Sequence, residues 1–191
     1  MAPRIRLDKQ SVVQAAAALV NQAGVDALSL SRLAERLGIQ TPSLYNHVDG
    51  LPGLRRALAL LNAHNLSECF ANAAIGKAGN DALLAIAQAH RAYIKASPGL
   101  YLASLRASGT QTPVDMELQQ AEARSLQVGL AVMASLGLQS DDGVHALRAL
   151  RSVVHGFATL EIAGGFGLPL DCDESFRRLI EALIRGLQSS V

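Results

Sequence analysis

Between Gln40 and His47, six hydrogen-bonding side chains crowd into eight positions: Gln40, Thr41, Ser43, Tyr45, Asn46 and His47. Side-chain amides and hydroxyls of this kind can donate to and accept from the edges of nucleic-acid bases. Gln40, Thr41, Ser43 and Asn46 have the chemistry for bases, and the Thr41 and Ser43 hydroxyls can also bond phosphate oxygens. Tyr45 and His47 suit phosphate contact. Ile39, Leu44 and Val48 are the apolar residues of the stretch, spaced to seat one side of a helix of roughly eight residues that begins near Gln40 or Thr41. Pro42 fits its first turn, where a missing N–H costs nothing.

Two helices must hold that segment. Asp8 is an N-cap for a first helix reaching Ala23, with Val12, Val13, Ala16, Leu19 and Val20 on one stripe and Gly24 as its stop. A second opens at Leu28 or Ser29, buries Leu30, Leu33, Ala34 and Leu37, and ends at Gly38, where the chain turns sharply. Helix, glycine turn and polar helix form a helix-turn-helix pattern. In such a pattern the backbone N–H groups of the polar helix and those near Gly50 are available to phosphates. Many helical bundles also contain a helix, a glycine and an exposed polar helix, so a helical adaptor without nucleic-acid binding is the alternative at this point.

Charge follows the same division. Residues 1–56 carry seven Arg or Lys against four acids, and the remainder ten against twelve, within a formal net charge of +1 over 191 residues. A basic head on a mildly acidic body suits an anionic partner presented to one end. Arg4 and Arg6 stand before the first helix, either as a frayed terminus or as a basic arm on phosphates or in a minor groove.

Beyond Gly53 every segment has a helical period, and no strand pattern or internal repeat occurs. Helices are expected from Leu54 to about Gly76, from Asn80 or Asp81 to Pro98, over Leu100–Ala107, and, past a polar loop, from Val114 to Leu136. Two more run over about 142–164 and 173–188, the last capped by Asp173. The expected fold is all-α with about nine helices, a helix-turn-helix head over 1–53 and a helical body over 54–191.

Catalysis has no constellation to rest on. His47, His64, His90, His145 and His155 lack metal-ligand spacing, and no H-E-x-x-H, phosphate loop or G-x-S-x-G is present. No enzyme activity, metal or cofactor is expected. Cys69 and Cys172 are isolated, as in a reducing cytoplasm. No signal peptide and no run of about 18 apolar residues occurs, so no membrane association is expected.

The stretch Leu30–Val48, L-S-R-L-A-E-R-L-G-I-Q-T-P-S-L-Y-N-H-V, resembles the DNA-binding signature of the TetR/AcrR family of bacterial repressors. Its core, A-x-x-L-G-(I/V)-x-x-x-(S/T)-L-Y-x-H-(F/V), is met by Ala34, Leu37, Gly38, Ile39, Ser43, Leu44, Tyr45, His47 and Val48. The resemblance implies a head of three helices joined through a fourth to a ligand-binding body. It implies double-stranded operator DNA as partner and an unidentified small-molecule effector. One departure concerns the grip on phosphate: a Lys is usual at the start of the fourth helix, where Asp49, Gly50 and Leu51 stand here. Arg4, Arg6, Arg32, Arg55, Arg56 and backbone amides would have to replace it, with a shallow dependence on salt.

A second resemblance spans Arg151–Asp171 and Asp173–Ile180, similar to the C-terminal domain of a TetR subgroup named for a Trp-His-Gly motif. His155 and Gly156 are present, and Val154 stands in the Trp position. In the family the last two long helices pair with their symmetry mates. Ala149, Ser152, Gly156 and Ala163 would allow close approach of a homodimer, with Phe157, Leu160, Phe176, Leu179 and Leu183 supplying apolar contact. Alternatively, these residues form the protomer's own core. Dimer heads about 34–36 Å apart would read a palindrome. An apolar effector cavity has His90, Tyr93, Tyr101, Leu102, Arg106, Met116, Met133 and His155 as candidates, each also explicable as core or surface. Effector binding is expected to tilt the fourth helix and release DNA.

Overall fold

A computed structural model of the chain describes residues 7–107 and 115–189. The described residues form nine α-helices and one 3₁₀ turn, with no strand among them. These are α1 (Lys9–Ala23), the 3₁₀ turn Val25–Ala27, α2 (Leu30–Leu37), α3 (Thr41–Leu44), α4 (Gly50–Ala74) and α5 (Gly79–Ala96). There follow α6 (Pro98–Ala107), α7 (Met116–Ala134), α8 (Ser140–Ile162) and α9 (Cys172–Gln188). Arg4, Arg6 and the side chain of Arg106 lie outside what is described.

Local chemistry explains most boundaries. Asp8 and Ser11 cap α1 reciprocally: the Ser11 N–H donates to Asp8 Oδ1 at 2.7 Å and the Asp8 N–H to Ser11 Oγ at 3.0 Å. The helix α4 begins at Gly50, four residues before the expected start at Leu54, and its first turn absorbs Pro52. Asp171 rather than Asp173 caps α9, accepting the Asp173 N–H at 2.8 Å. That leaves the Asp173 carboxylate available for an ion pair.

By packing, the chain forms two compact units: the part up to Ala63 with Ser97–Gln119, and His64–Ala96 with the part from Gln120 onward. Packing thus divides the chain elsewhere than at the expected 53/54 boundary. In the first unit α6 docks on α1. Gly99 makes this possible, since a Cβ there would stand 2.0 Å from the Val20 carbonyl oxygen. The Leu100 N–H donates to Asn21 Oδ1 at 2.8 Å, and Leu100 joins a core built on Val12, Ala16, Val20, Leu33 and Leu44. Nothing in the periodicity of residues 98–107 announces that partner.

In the second unit α5 packs on α8 and α9, which also pack on each other. Ile86, Ala87 and Ile94 from α5, Leu150, Val154 and Ala158 from α8, and Phe176, Ile180 and Ile184 from α9 are buried. Val154, at the position of the subgroup's Trp, is fully buried. Arg91 of α5 is buried among them. Its Nε and Nη2 donate to Glu161 at 2.8 and 2.7 Å, and its Nη1 to Asp173 at 2.7 Å. The guanidinium also lies over the Phe157 and Phe176 rings, at 5.2 and 4.9 Å from their centroids. Among the described residues no helix is long and apolar enough to cross a membrane.

Candidate nucleic-acid interface

The helix-turn-helix is built from caps and one left-handed glycine. Ser29 caps α2, its hydroxyl accepting the Arg32 N–H at 3.3 Å. Gly38 ends α2 at φ 66°, and the Ile39 N–H reaches back to the Ala34 carbonyl at 3.0 Å. A side chain at that φ would be strained, so glycine is the residue that permits the turn. Arg36 Nη1 donates to Gln22 Oε1 at 2.7 Å, tying α2 to α1.

The polar segment is shorter as a helix than expected. The helix α3 covers four residues, Thr41–Leu44, and a series of tighter turns continues it. The Tyr45, Asn46 and His47 N–H groups donate to the carbonyls of Pro42, Ser43 and Leu44, each three residues back. Tyr, Asn and His favour α-helix weakly, and Gly50 at φ 65° ends any continuation. The seat is nevertheless firm: Leu44 is fully buried, Val48 is buried, and Ile39 packs against the same core.

From that seat Gln40, Tyr45 and Asn46 are exposed, with Tyr45 at 61%, while Thr41, Ser43 and His47 are half-buried. Arg32 is exposed in the first turn of α2. Two expectations change. The Gly50 N–H is engaged by the Val48 carbonyl at 2.9 Å, so it is not open to a phosphate. Arg56 is likewise spent, donating from Nε and Nη2 to Asp115 at 2.5 and 2.9 Å and from Nη2 to Glu117 at 2.6 Å. These partners lie 59 and 61 residues along the chain, beyond any local pattern. Leu51, in the stretch where a Lys was expected, is half-buried against the head's core.

Residues 12–48 match the family model described as bacterial regulatory proteins, tetR family. Residues 83–183 match a second, described as the tetracyclin repressor-like C-terminal domain. The chain belongs to the TetR family. It is a helix-turn-helix, DNA-binding transcriptional regulator with that family's all-α fold. Among its relatives, the uncharacterized HTH-type transcriptional regulator YobS of Bacillus subtilis is 32% identical over 191 residues, covering 98% of this chain and 96% of the relative. The uncharacterized HTH-type transcriptional regulator Rv0681 of Mycobacterium tuberculosis is 32% identical over 186 residues, covering 96% of this chain and 83% of the relative. A crystal structure of a TetR variant from Acinetobacter baumannii AYE in complex with minocycline superposes with a TM-score of 0.68 at 26% identity. It covers 96% of this chain and 98% of that one.

In this TetR-family chain the effector candidates separate. Tyr101, buried, and Met116 belong to the first unit, while His90, Tyr93, Met133 and His155 belong to the second. Met116 is 60% exposed, contrary to a place in an apolar cavity, because it opens α7 directly after Asp115, which faces Arg56. Leu102 is 39% exposed. Met133 is fully buried, and His90 is buried with its ring edge-on to Phe70 at 5.1 Å. Burial, with Arg151 and His155 nearby, pushes His90 down to about 4, so it is neutral at pH 7. Burial pushes the Tyr93 phenol up to about 12, against a hydrogen bond with Asn65 that lowers it. An open groove of the second unit, lined in part by Gly79, Asn80, Ser135 and Gln188, contains none of these candidates.

The dimer candidates separate too. Phe157 and Phe176 are buried within the protomer, their rings 5.1 Å apart, and so cannot offer the contact expected of them. The cause is Arg91, whose guanidinium both rings cover. Ser152, Leu160 and Leu179 are exposed, and Ala149, Gly156 and Leu183 half-buried. A Cβ added at Gly156 would meet nothing within 4 Å.

Proposed function

We propose that this regulator is a homodimeric repressor that holds a palindromic operator and is released by a small-molecule effector. The observation that carries the DNA-reading part is the exposure of Gln40, Tyr45 and Asn46 on a segment seated by buried Leu44 and Val48. Gln40, Asn46, Thr41 and Ser43 read base edges, Tyr45 and His47 bond phosphate, and Arg32 adds a cation from α2. Arg4 and Arg6 act as a basic arm, and Gly50 shapes the turn into α4. Functionally the chain divides into a DNA-binding part over 1–53 and an effector and dimer part over 54–191. An operator-binding protein of this kind works in the cytoplasm, without an enzymatic step.

The dimer reading is supported by the outward stripe Ala149, Ser152, Gly156 and Leu160 on α8 and by Leu179 and Leu183 on α9. Small residues allow two helices to approach closely. The effector reading is supported by the relative crystallised with minocycline. In this chain His90 is buried and neutral at pH 7, which supports an uncharged effector. Effector can lower operator affinity only by its differential affinity for the two states. A gel shift with the chain's own upstream region tests the proposal. Binding that survives both Tyr45→Ala and Asn46→Ala unchanged would point to the adaptor alternative instead.

A further inference from the structure

Two helices run from one compact unit into the other. The boundary falls inside α4, between Ala63 and His64, and inside α7, between Gln119 and Gln120. In the first unit α4 is fixed by burial, since Leu54, Ala57 and Leu58 join the core that also seats Leu44 and Val48. The start of α7 is fastened by an ionic group. Arg56, on the second turn of α4, donates to Asp115 from Nε at 2.5 Å and from Nη2 at 2.9 Å, and from Nη2 to Glu117 at 2.6 Å. The Asp115 Oδ1 that takes the Nη2 bond also accepts the Leu118 N–H at 3.1 Å. One carboxylate therefore caps α7 and holds α4, and parting the pair disturbs the first turn of α7. The other end of α7 is embedded in the second unit. A Cβ at Gly129 would stand 2.7 Å from Leu147 Cδ2, Val132 and Met133 are buried, and the Ser135 hydroxyl accepts the Gly79 N–H at 2.8 Å.

A second fastening in the first unit, α6 on α1 at Gly99, has the opposite character. The Val20 carbonyl occupies the place of a Cβ there, and Leu100 lies in the core, so this contact opens only by exposing apolar surface. The Arg56 side chain is 34% exposed and that of Glu117 68%. An ion pair this open to water exchanges its partners for solvent at small cost. Of the two fastenings, it is the one suited to open and close.

We propose that the Arg56 ion pair is a relay. Closed, it makes the first turn of α7 move with α4, so that the state of the second unit is delivered along α7 to residues 40–48. Arg56 is then a positioning residue and does not grip phosphate. The proposal rests on the effector-release reading above and deepens it by naming a connection on which release depends. Coupling between sites is reciprocal: whatever the second unit does to operator affinity, operator does to the second unit. Reciprocity allows the relay to be tested with DNA alone, by a measured coupling and not by position along the chain.

Hydrogen exchange on the full chain, with and without a saturating fragment of its own upstream region, is the test. In wild type, DNA is expected to slow exchange over residues 120–134 on the order of 10-fold. In Arg56→Met, held saturated with DNA, the slowing should fall below about twofold. Arg56→Lys keeps an ion pair with Asp115 and should retain most of the response. Asp115→Asn keeps an acceptor for the Leu118 N–H but loses the charge, and should behave as Arg56→Met does. It also carries the test if thermal unfolding shows that Arg56→Met does not fold. Slowing equal to wild type in either folded variant overturns the relay. The salt dependence separates the remaining role for Arg56: the slope of log K against log salt should be unchanged in Arg56→Met, whereas a fall of about 2 in a dimer makes it a phosphate ligand and overturns the proposal. A wild-type chain that binds the fragment with no change over 120–134 overturns the relay alone. One that does not bind the fragment overturns the operator reading and the relay together.

Discussion

The segment proposed to read DNA and the α8–α9 corner are built in opposite ways. Around Tyr45 and Asn46, polar side chains face outward and aliphatic ones, Leu44 and Val48, hold the seat. At the corner, Leu168 and Leu170 face outward while a buried arginine, Arg91, paired with Glu161 and with the exposed carboxylate of Asp173, holds the frame. An aliphatic seat is insensitive to direction and tolerates a four-residue helix finished by tight turns. An arginine with fixed donor directions sets orientation instead, at a desolvation cost that only complete pairing offsets.

Substituting each seat gives the largest contrast. Arg91→Leu strands Glu161, which is 14% exposed, with Lys95 as its remaining cation. A loss of about 3–5 kcal/mol is expected in urea unfolding. Leu44→Ala removes a fully buried side chain and should cost about 2–5 kcal/mol, with operator binding lost as well. The comparison breaks if Arg91→Leu is neutral. It sharpens if Arg91→Lys, which keeps charge but loses the fork, is nearly as damaging.

Acid should act on the second unit. His90 titrates at about 4 when folded against 6.5 when unfolded, so the unfolded chain binds the extra proton between those values. Stability from this group is complete above pH 6.5 and lost as pH falls toward 4. About 2 kcal/mol should go between pH 7 and pH 5, and His90→Gln should flatten that slope. In the head, by contrast, the Asp8 carboxyl is held down by the Ser11 N–H and hydroxyl and titrates below the usual carboxylate range. Wild type and His90→Gln losing stability in parallel over this window would contradict the assignment.

Single substitutions on the reading face should leave the fold alone. Asn46→Ala and Tyr45→Ala are each expected to weaken operator binding by about 1–3 kcal/mol, with unchanged unfolding midpoints. The seat and turn of that segment were legible from the chain because their signals are local: a cap at Ser29, a glycine at 38, and apolar spacing at 39, 44 and 48. The helix count and the all-α class were legible for the same reason. The α1–α6 docking through Gly99, the Arg91 group and the Arg56 pair were not. Each depends on residues 59 to 82 positions apart, and no period or cap encodes such pairings. For Phe157 and Phe176 the sequence left a dimer face and the protomer's own core both open, because an apolar stripe does not reveal whether its partner is another chain or a buried guanidinium.

The smallest effect distinguishes the arginines near the head. Each phosphate contact contributes about 0.9 to the slope of log K against log salt. Arg32 is exposed at the start of α2 and should contribute, so Arg32→Ala should lower the slope by about 2 in a dimer. Arg56 is already paired with Asp115 and Glu117, so Arg56→Ala should leave the slope unchanged within error. If the two substitutions lower it equally, the Arg56 pair opens on DNA and its carboxylates compete with phosphate. If Arg32→Ala changes nothing, the grip on phosphate comes from backbone amides and the polar side chains of residues 40–47. Leu51→Lys provides the converse measurement. Placing a cation where relatives of this fold usually have one should steepen the slope by about 2. It should also destabilise the head slightly, since Leu51 packs against its core.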